Sequence, residues 1–344
     1  MKLRINFITL ILFFCHISIF SQTIFENQEY YAIAPSGLLI RNQPSLKGDK
    51  IGKIRYSERV KLTKNTGIEL SIKDEGRVIS GNWVYVLTNS YINNEQVKGY
   101  VFSGFLSNEE PLKHDHIKTV SRFINYFKTK NKEAIKKTIK YPFNRPYPIQ
   151  DIENEDEFLT YYDEIFDKEL EEKIKNSSPI RDWSAVGWRG IMLERGTLWL
   201  DYDGSIKGIL HETQLHKDKM KKLIEEEKNT IHESIRDYNR FDCMFETKTQ
   251  RIRVDLVDDK KYLYRLAIWK LSKSQKEKPD LILYNGKVTM DGSGGNHYFE
   301  FYKGIYKYIC YNMVLGTNEY PYGSIDVYKD NKQISEDKFI KRID

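Results

Sequence analysis

Leu38-Leu39-Ile40-Arg41-Asn42-Gln43-Pro44-Ser45 opens the stretch whose reading decides the fold of the first third of the chain. Apolar residues lead into Arg41, and Pro44, with its fixed φ and missing N–H, suits a strand exit. Runs of the same kind follow: Ile51-Gly52-Lys53-Ile54, then Arg59-Val60-Lys61-Leu62 after a turn at Tyr56-Ser57-Glu58, then Trp83-Val84-Tyr85-Val86, Gly99-Tyr100-Val101 and Phe105-Leu106. Short strands of period two separated by turn residues predict a small antiparallel barrel, with Val60, Leu62, Val84 and Val86 as its plugs. Between Leu62 and Trp83 the chain is longer than a tight hairpin needs. It carries two turn signals, Lys64-Asn65-Thr66-Gly67 and Asp74-Glu75-Gly76-Arg77, which predict an extended hairpin on the barrel.

The opening run resembles the hydrophobic–x–hydrophobic–Arg–x–Gly–Pro–Ser start of bacterial SH3-like domains, with Gln43 in place of the glycine, and the later landmarks fall in that family's order. The resemblance covers about residues 30–107. It implies an all-β barrel over 24–108 that binds a cell-wall peptide or a protein ligand. A glycine at 43 takes a positive φ at no cost, whereas glutamine does not, so the first turn is expected to differ in shape. Trp83, Tyr85 and Tyr100 are the candidate binding residues. Alternation sets Trp83 and Tyr85 on one face, where a packing role competes with a binding role.

Lys2 and Arg4 precede an apolar run from Ile5 to Phe20 and a small residue, Ser21, which is the layout of a secretory signal peptide over 1–21. His16 and Ser18 interrupt the run, so it is too short for a membrane-spanning helix, and no span is expected after cleavage. The rival reading is a lipoprotein modified at Cys15, but Phe13 and Phe14 are bulky where such sites use small residues. The expected location is the periplasm or the exterior.

The formal net charge of +6 is spread over a chain rich in both signs. That balance argues for solubility, and without a basic stripe interleaved with aromatics it excludes a nucleic-acid binder. At 344 residues the chain is long enough for several domains.

Past Asn108-Glu109-Glu110-Pro111 the period changes. Ile117, Val120, Ile124 and Phe127 recur at helical spacing, Ala134, Ile135 and Thr138-Ile139 continue in a second short helix, and another is expected from Glu155 to Asp167, with Phe158, Leu159, Tyr162, Ile165 and Phe166 inside. Gly187–Leu193 and Thr197–Asp201 then read as a hairpin about Glu194-Arg195-Gly196. Helices followed by a curved sheet suggest an α+β domain over 113–212, similar in order to the nuclear transport factor 2-like fold. Asp201, Asp203, Ser205 and Glu212 do not make a calcium loop, because Ile206 stands where the sixth-position glycine belongs. His114-Asp115-His116 lacks a third metal ligand and reads as a solvated helix start. No metal site and no cofactor is expected. A charged helix is expected over 213–240, with Leu215, Leu223, Ile224, Ile231 and Ile235 on its apolar stripe.

The remainder, 241–344, alternates through seven expected strands, divided among others at Asp258-Asp259, Asn285-Gly286, Lys303-Gly304 and the run from Gly292 to Asn296, which suits a β-sandwich or open barrel. Cys243 after Phe241-Asp242, with His297 on a later strand, resembles the outline of cell-wall cysteine peptidases. The outline breaks at Met244-Phe245, where that family has Ser-Gly. The simpler reading uses the even count left after export, a disulfide between Cys243 and Cys310.

These features favour a secreted, non-enzymatic envelope protein that binds a cell-wall peptide or envelope protein through its barrel. The alternatives are a cell-wall cysteine peptidase using Cys243 and His297, and a periplasmic inhibitor or immunity-like binder acting through its C-terminal β-domain, with its exposed aromatics and the loop Gly292 to Asn296 as the sites.

Overall fold

The alternating residues of the N-terminal stretch form seven antiparallel strands: β1 (Glu29–Ala32), β2 (Leu38–Arg41), β3 (Lys50–Ile54), β4 (Arg59–Asp74), β5 (Arg77–Asn89), β6 (Gln96–Phe102) and β7 (Leu106–Ser107). They are ordered β3-β2-β6-β5-β4-β1-β7 in one sheet. This is a computed structural model describing residues 24–74, 76–89, 96–292 and 294–343, so the expected signal peptide, Cys15 and Ser293 lie outside the described residues. The four plugs predicted from alternation all lie in the sheet's core, beside Tyr30, Ala32, Ile40, Ile54 and Val101. β4 and β5 run on past the core as the expected long hairpin. Near its turn, Arg77 forms a 2.7 Å ion pair with Asp182 and donates to the Asn176 carbonyl. Gln43 does not take a positive φ; its carbonyl instead accepts from Ser45 N (2.8 Å), and Arg41 closes the loop by donating to the Gly48 carbonyl at 2.6 Å.

The described residues up to Thr138 form one compact unit with Glu172–Leu210, and Ile139–Glu171 forms the other with His211–Asp344. In the first, helix α1 (His114–Lys128) buries Val120, Phe123, Ile124 and Phe127, and the Phe123 ring meets Trp183 edge-on at 6.1 Å. The short α2 (Lys132–Lys136) starts at Asn131, whose side chain caps Ala134 N. Trp183 belongs to a four-stranded antiparallel sheet, β8 (Trp183–Ala185), β9 (Ile191–Leu193), β10 (Leu198–Leu200) and β11 (Ile206–Ile209). The expected turn sits between β9 and β10, with Glu194 and Gly196 at positive φ.

The helix expected from Glu155 to Asp167 is divided into α3 (Glu155–Thr160) and α4 (Tyr162–Ile165), followed by α5 (Lys168–Lys175). The break falls at Tyr161, whose ring is held by Arg145 and Lys219 at 4.8 and 4.4 Å. Asn154 caps α3, accepting from Asp156 N and Glu157 N. Helix α6 (Gln214–Lys228) is capped by Thr213 and stops well short of Arg240. Beyond it, Ile231 and Ile235 turn into a core with Tyr238, Met244, Ala267 and Trp269, which a continued helix would not allow.

The rest is one nine-stranded antiparallel sheet: β12 (Arg240–Glu246), β13 (Gln250–Asp258), β14 (Leu263–Lys270), β15 (Leu281–Met290), β16 (His297–Lys303), β17 (Tyr306–Asn312), β18 (Gly323–Lys329), β19 (Lys332–Lys338) and β20 (Lys341–Arg342). It is a curled half-barrel around one core, not a sandwich. Asn285-Gly286, expected as a hairpin turn, is instead a kink inside β15. The residues before it pair with β14 and those after it with β16. Asn285 takes a φ of 61°, and a Cβ on Gly286 would stand 2.1 Å from the Phe301 ring, so the aromatic lies against bare backbone where the sheet bends. The final strands return to β12. Phe339 stacks on Phe245 at 4.3 Å, and Ile340 N donates to the Glu246 carbonyl at 2.9 Å.

On the outer face of β13 and β14, charge is buried. Asp255 accepts from Arg253 Nε (2.8 Å) and Arg265 Nη2 (2.6 Å), and Arg253 also donates to Glu227 of α6 at 2.6 Å. Tyr147 and Tyr238 donate their hydroxyls to the same Glu227 carboxylate. Each ion has an opposite partner, as burial requires, while Arg253 Nη2 and Arg265 Nε are left without a hydrogen bond among the described residues.

Candidate functional site

The outward side chains of β4, β5 and β6 stand in cross-strand rows. Val84, Val86 and Val101 point into the core, so Trp83, Tyr85 and Leu87 on β5 share the opposite face with Lys98, Tyr100 and Phe102 on β6. One row reads Lys64–Tyr85–Tyr100–Arg41 and the next Lys61–Leu87–Lys98. The Tyr85 and Tyr100 rings meet edge to face, 4.9 Å apart at 70°, and both are half-buried. Lys61, Lys64 and Lys98 are exposed around them. Thr63 and Thr66 hold this stretch of β5 by donating to the carbonyls of Tyr85 and Trp83.

Trp83 is on the same face but only 4 % exposed, opposite Phe102, itself 5 % exposed. The accessible part of the face is therefore the tyrosine pair, Leu87 and the lysines. A pair of rings with a basic rim is complementary to groups that carry carboxylates, through ring contact and charge. The lysines escape sequence reasoning because, taken singly, each is an ordinary solvated strand residue; only register across three strands groups them.

Cys243 and His297 come from opposite parts of the curled sheet. Cys243 lies on β12, a strand and not a helix start, with its side chain in the core beside Phe299 and Cys310. It lacks the helix N-terminus that would favour a thiolate. Cys243 and Cys310 stand as two buried thiols, without the disulfide expected from their number. Burial pushes the Cys310 thiol well above its ordinary range.

The imidazole meets Asp242 instead. Strand β12 shifts register between Phe241 and Cys243, and His297 Nε2 lies 3.7 Å from Asp242 Oδ1. Nδ1 is 2.8 Å from the Gly295 carbonyl, and Asn312 Nδ2 is 3.2 Å from Nε2; Asn312 in turn accepts from Arg342 at 3.2 Å. Asp242 raises the His297 pKa above 6.5, against the desolvation that lowers it. Both ring nitrogens are engaged away from the thiol, in an arrangement that holds the curled sheet together. In the sequence Asp242 enters only as the neighbour of Cys243, and Asn312 and Arg342 carry no signal, because a register shift leaves none there.

His116 of the His114-Asp115-His116 run stacks on Tyr202 at 4.6 Å. Among the described residues no group of three or more His, Cys, Asp or Glu side chains is placed to hold a metal ion. No helix among them is long and apolar enough to cross a membrane.

Residues 36–107 match the family model of the bacterial SH3 domain. No curated protein and no solved structure matches the chain.

Proposed function

We propose that the chain is an exported, non-catalytic envelope protein whose barrel binds a cell-wall peptide or an envelope protein through the Tyr85–Tyr100 face. A bacterial SH3 domain is a cell-wall or protein binding module, and it occupies 36–107. The observation that carries the reading is the half-exposed tyrosine pair rimmed by Lys61, Lys64 and Lys98. Peptide cross-links of a cell wall carry free carboxylates, and a rim of like positive charge steers such a ligand to the rings.

The test is co-sedimentation of the full chain with purified peptidoglycan, and with detergent-extracted envelope proteins, at two salt concentrations. Tyr85→Ala/Tyr100→Ala is expected to weaken binding about tenfold, the loss of roughly one ring contact per side chain. Lys61→Glu/Lys98→Glu should remove its salt dependence. Equal retention of the parent and both variants would sink the proposal.

A second reading, binding through the C-terminal domain in the manner of an inhibitor, draws on another observation. Asn296 forms hydrogen bonds with both the N–H and the carbonyl of Leu315, presenting exposed Val314 and Leu315 beside the loop Gly292 to Asn296. Val314→Ser/Leu315→Ser would abolish such binding and leave peptidoglycan retention unchanged.

A further inference from the structure

The cations around the Tyr85–Tyr100 pair extend beyond β4 and β6. Ile40 lies in the barrel core, so its neighbour Arg41 is turned outward. Register then carries the row Lys64–Tyr85–Tyr100 on to Arg41 of β2 and, across a shift in the ladder, to Lys50 of β3. The ring pair therefore has a cation at each end, Lys64 on one side and Arg41 with Lys50 on the other. In the next row Lys61 and Lys98 flank Leu87 in the same way.

None of these five cations forms an ion pair among the described residues. Arg41 donates Nη1 to the Gly48 carbonyl, which fixes its guanidinium at the base of the β2–β3 loop and leaves further donors on the same group. Three carboxylates adjoin the cations, and each is engaged elsewhere. Glu29, opposite Lys61, pairs with Arg59 at 3.7 Å. Glu26 accepts from Asn65 N at 2.7 Å, and Asp49 accepts from Asn42 Nδ2 at 2.9 Å. They offset part of the charge and leave an excess of cations on both sides of the rings. That pattern is complementary to separated anionic groups joined by an apolar middle.

We infer that the occupant of this face is an acidic segment of an envelope protein, laid across the strands with carboxylates at its two cationic ends and apolar residues on Tyr85, Leu87 and Tyr100. The inference rests on the reading of the barrel as the binding module, for which the family match gives independent ground. With strands about 4.8 Å apart, the row spans about 14 Å from β4 to β2 and about 19 Å to β3. An extended peptide advances about 3.4 Å per residue, so carboxylates four residues apart reach from Lys64 to Arg41. A single free carboxylate would meet only one end. Arg41 is the specificity-determining residue, because its fixed, planar guanidinium takes a carboxylate in a fork and so sets the spacing.

Calorimetric titration of the full chain with six-residue peptides at low salt tests this. A peptide with glutamates at its first and fifth positions around apolar residues is expected to bind about tenfold more tightly than its isomer with the two glutamates adjacent, and the glutamine counterpart is expected to bind weakest. Lys50→Glu/Lys64→Glu, at exposed positions, should weaken the spaced peptide about tenfold with the melting temperature unchanged. Arg41→Gln should abolish the preference for the spaced isomer, a readout that loss of the Gly48 contact alone would not move. If Tyr85→Ala/Tyr100→Ala weakens binding while the two isomers bind alike and Lys50→Glu/Lys64→Glu has no effect, the barrel still binds at its rings and the acidic segment is overturned. Soluble peptidoglycan fragments that bind at the rings, with no competition from the spaced peptide, would overturn it in the same way. Peptide binding unchanged in all three variants would overturn both readings.

Discussion

His297 Nε2 lies 3.7 Å from Asp242 Oδ1 although β13, β14 and β15 stand between their strands in the sheet order, so the pair spans the curl. The groups that act on the imidazole are Asp242, the Gly295 carbonyl and Arg342; the first two raise its pKa and Arg342 lowers it. The net effect is a folded value above 6.5. A raised folded value means that the pairing stabilises the fold fully below the unfolded pKa and that its contribution is lost as pH rises through the folded one. Screening of a pair at the surface of the core limits this to about 1 kcal/mol or less. Asp242→Asn should therefore lower the melting temperature at about pH 5.5 and change it little at about pH 8.5. An equal penalty at both would show that the contact is not ionic.

Gly286→Ala places a methyl group 2.1 Å from Phe301 Cε1, at the kink that bends the sheet. Overpacking of this kind costs about 1–3 kcal/mol. Urea unfolding should show that loss. Phe301→Leu, mildly destabilising alone, should recover part of it when combined with Gly286→Ala, because the two side chains compete for the same space.

Asp255→Ala leaves Arg253 and Arg265 facing each other without their shared carboxylate. Removing one member of a buried ionic group costs about 3–5 kcal/mol. The loss should appear in the denaturation midpoint. Replacement of all three by apolar residues of similar volume, combined with Glu227→Gln because Arg253 also pairs with Glu227, should return most of it, whereas a purely steric role for Asp255 would make the combined variant the worst.

In a Cys15→Ser background, Cys310 should resist a thiol reagent in the folded chain, because it is buried and its thiolate is disfavoured. Denaturant without reductant should then expose two titratable thiols, Cys243 and Cys310. Thiols that appear only after reduction would mean that the two sulfurs are bonded in the exported protein.

What the sequence determined by itself is local. Alternation from Leu38 to Leu106 specified the strands, the plugs Val60, Leu62, Val84 and Val86, and the long hairpin, because a strand's inward residues must be apolar wherever it lies. Turn residues likewise marked Glu194 to Gly196 correctly. They failed at Asn285-Gly286, because a positive φ and a missing Cβ serve a bent strand under Phe301 as well as a hairpin. The apolar stripe through Ile231 and Ile235 fits helical spacing and also fits two side chains turned into a core beside Trp269, so the end of α6 was decided by packing. Only tertiary structure could bring His297 to Asp242 and not to Cys243, and set lysines around the Tyr85–Tyr100 pair. Each depends on register between strands distant in the chain, and one residue's shift in that register moves a side chain to the other face.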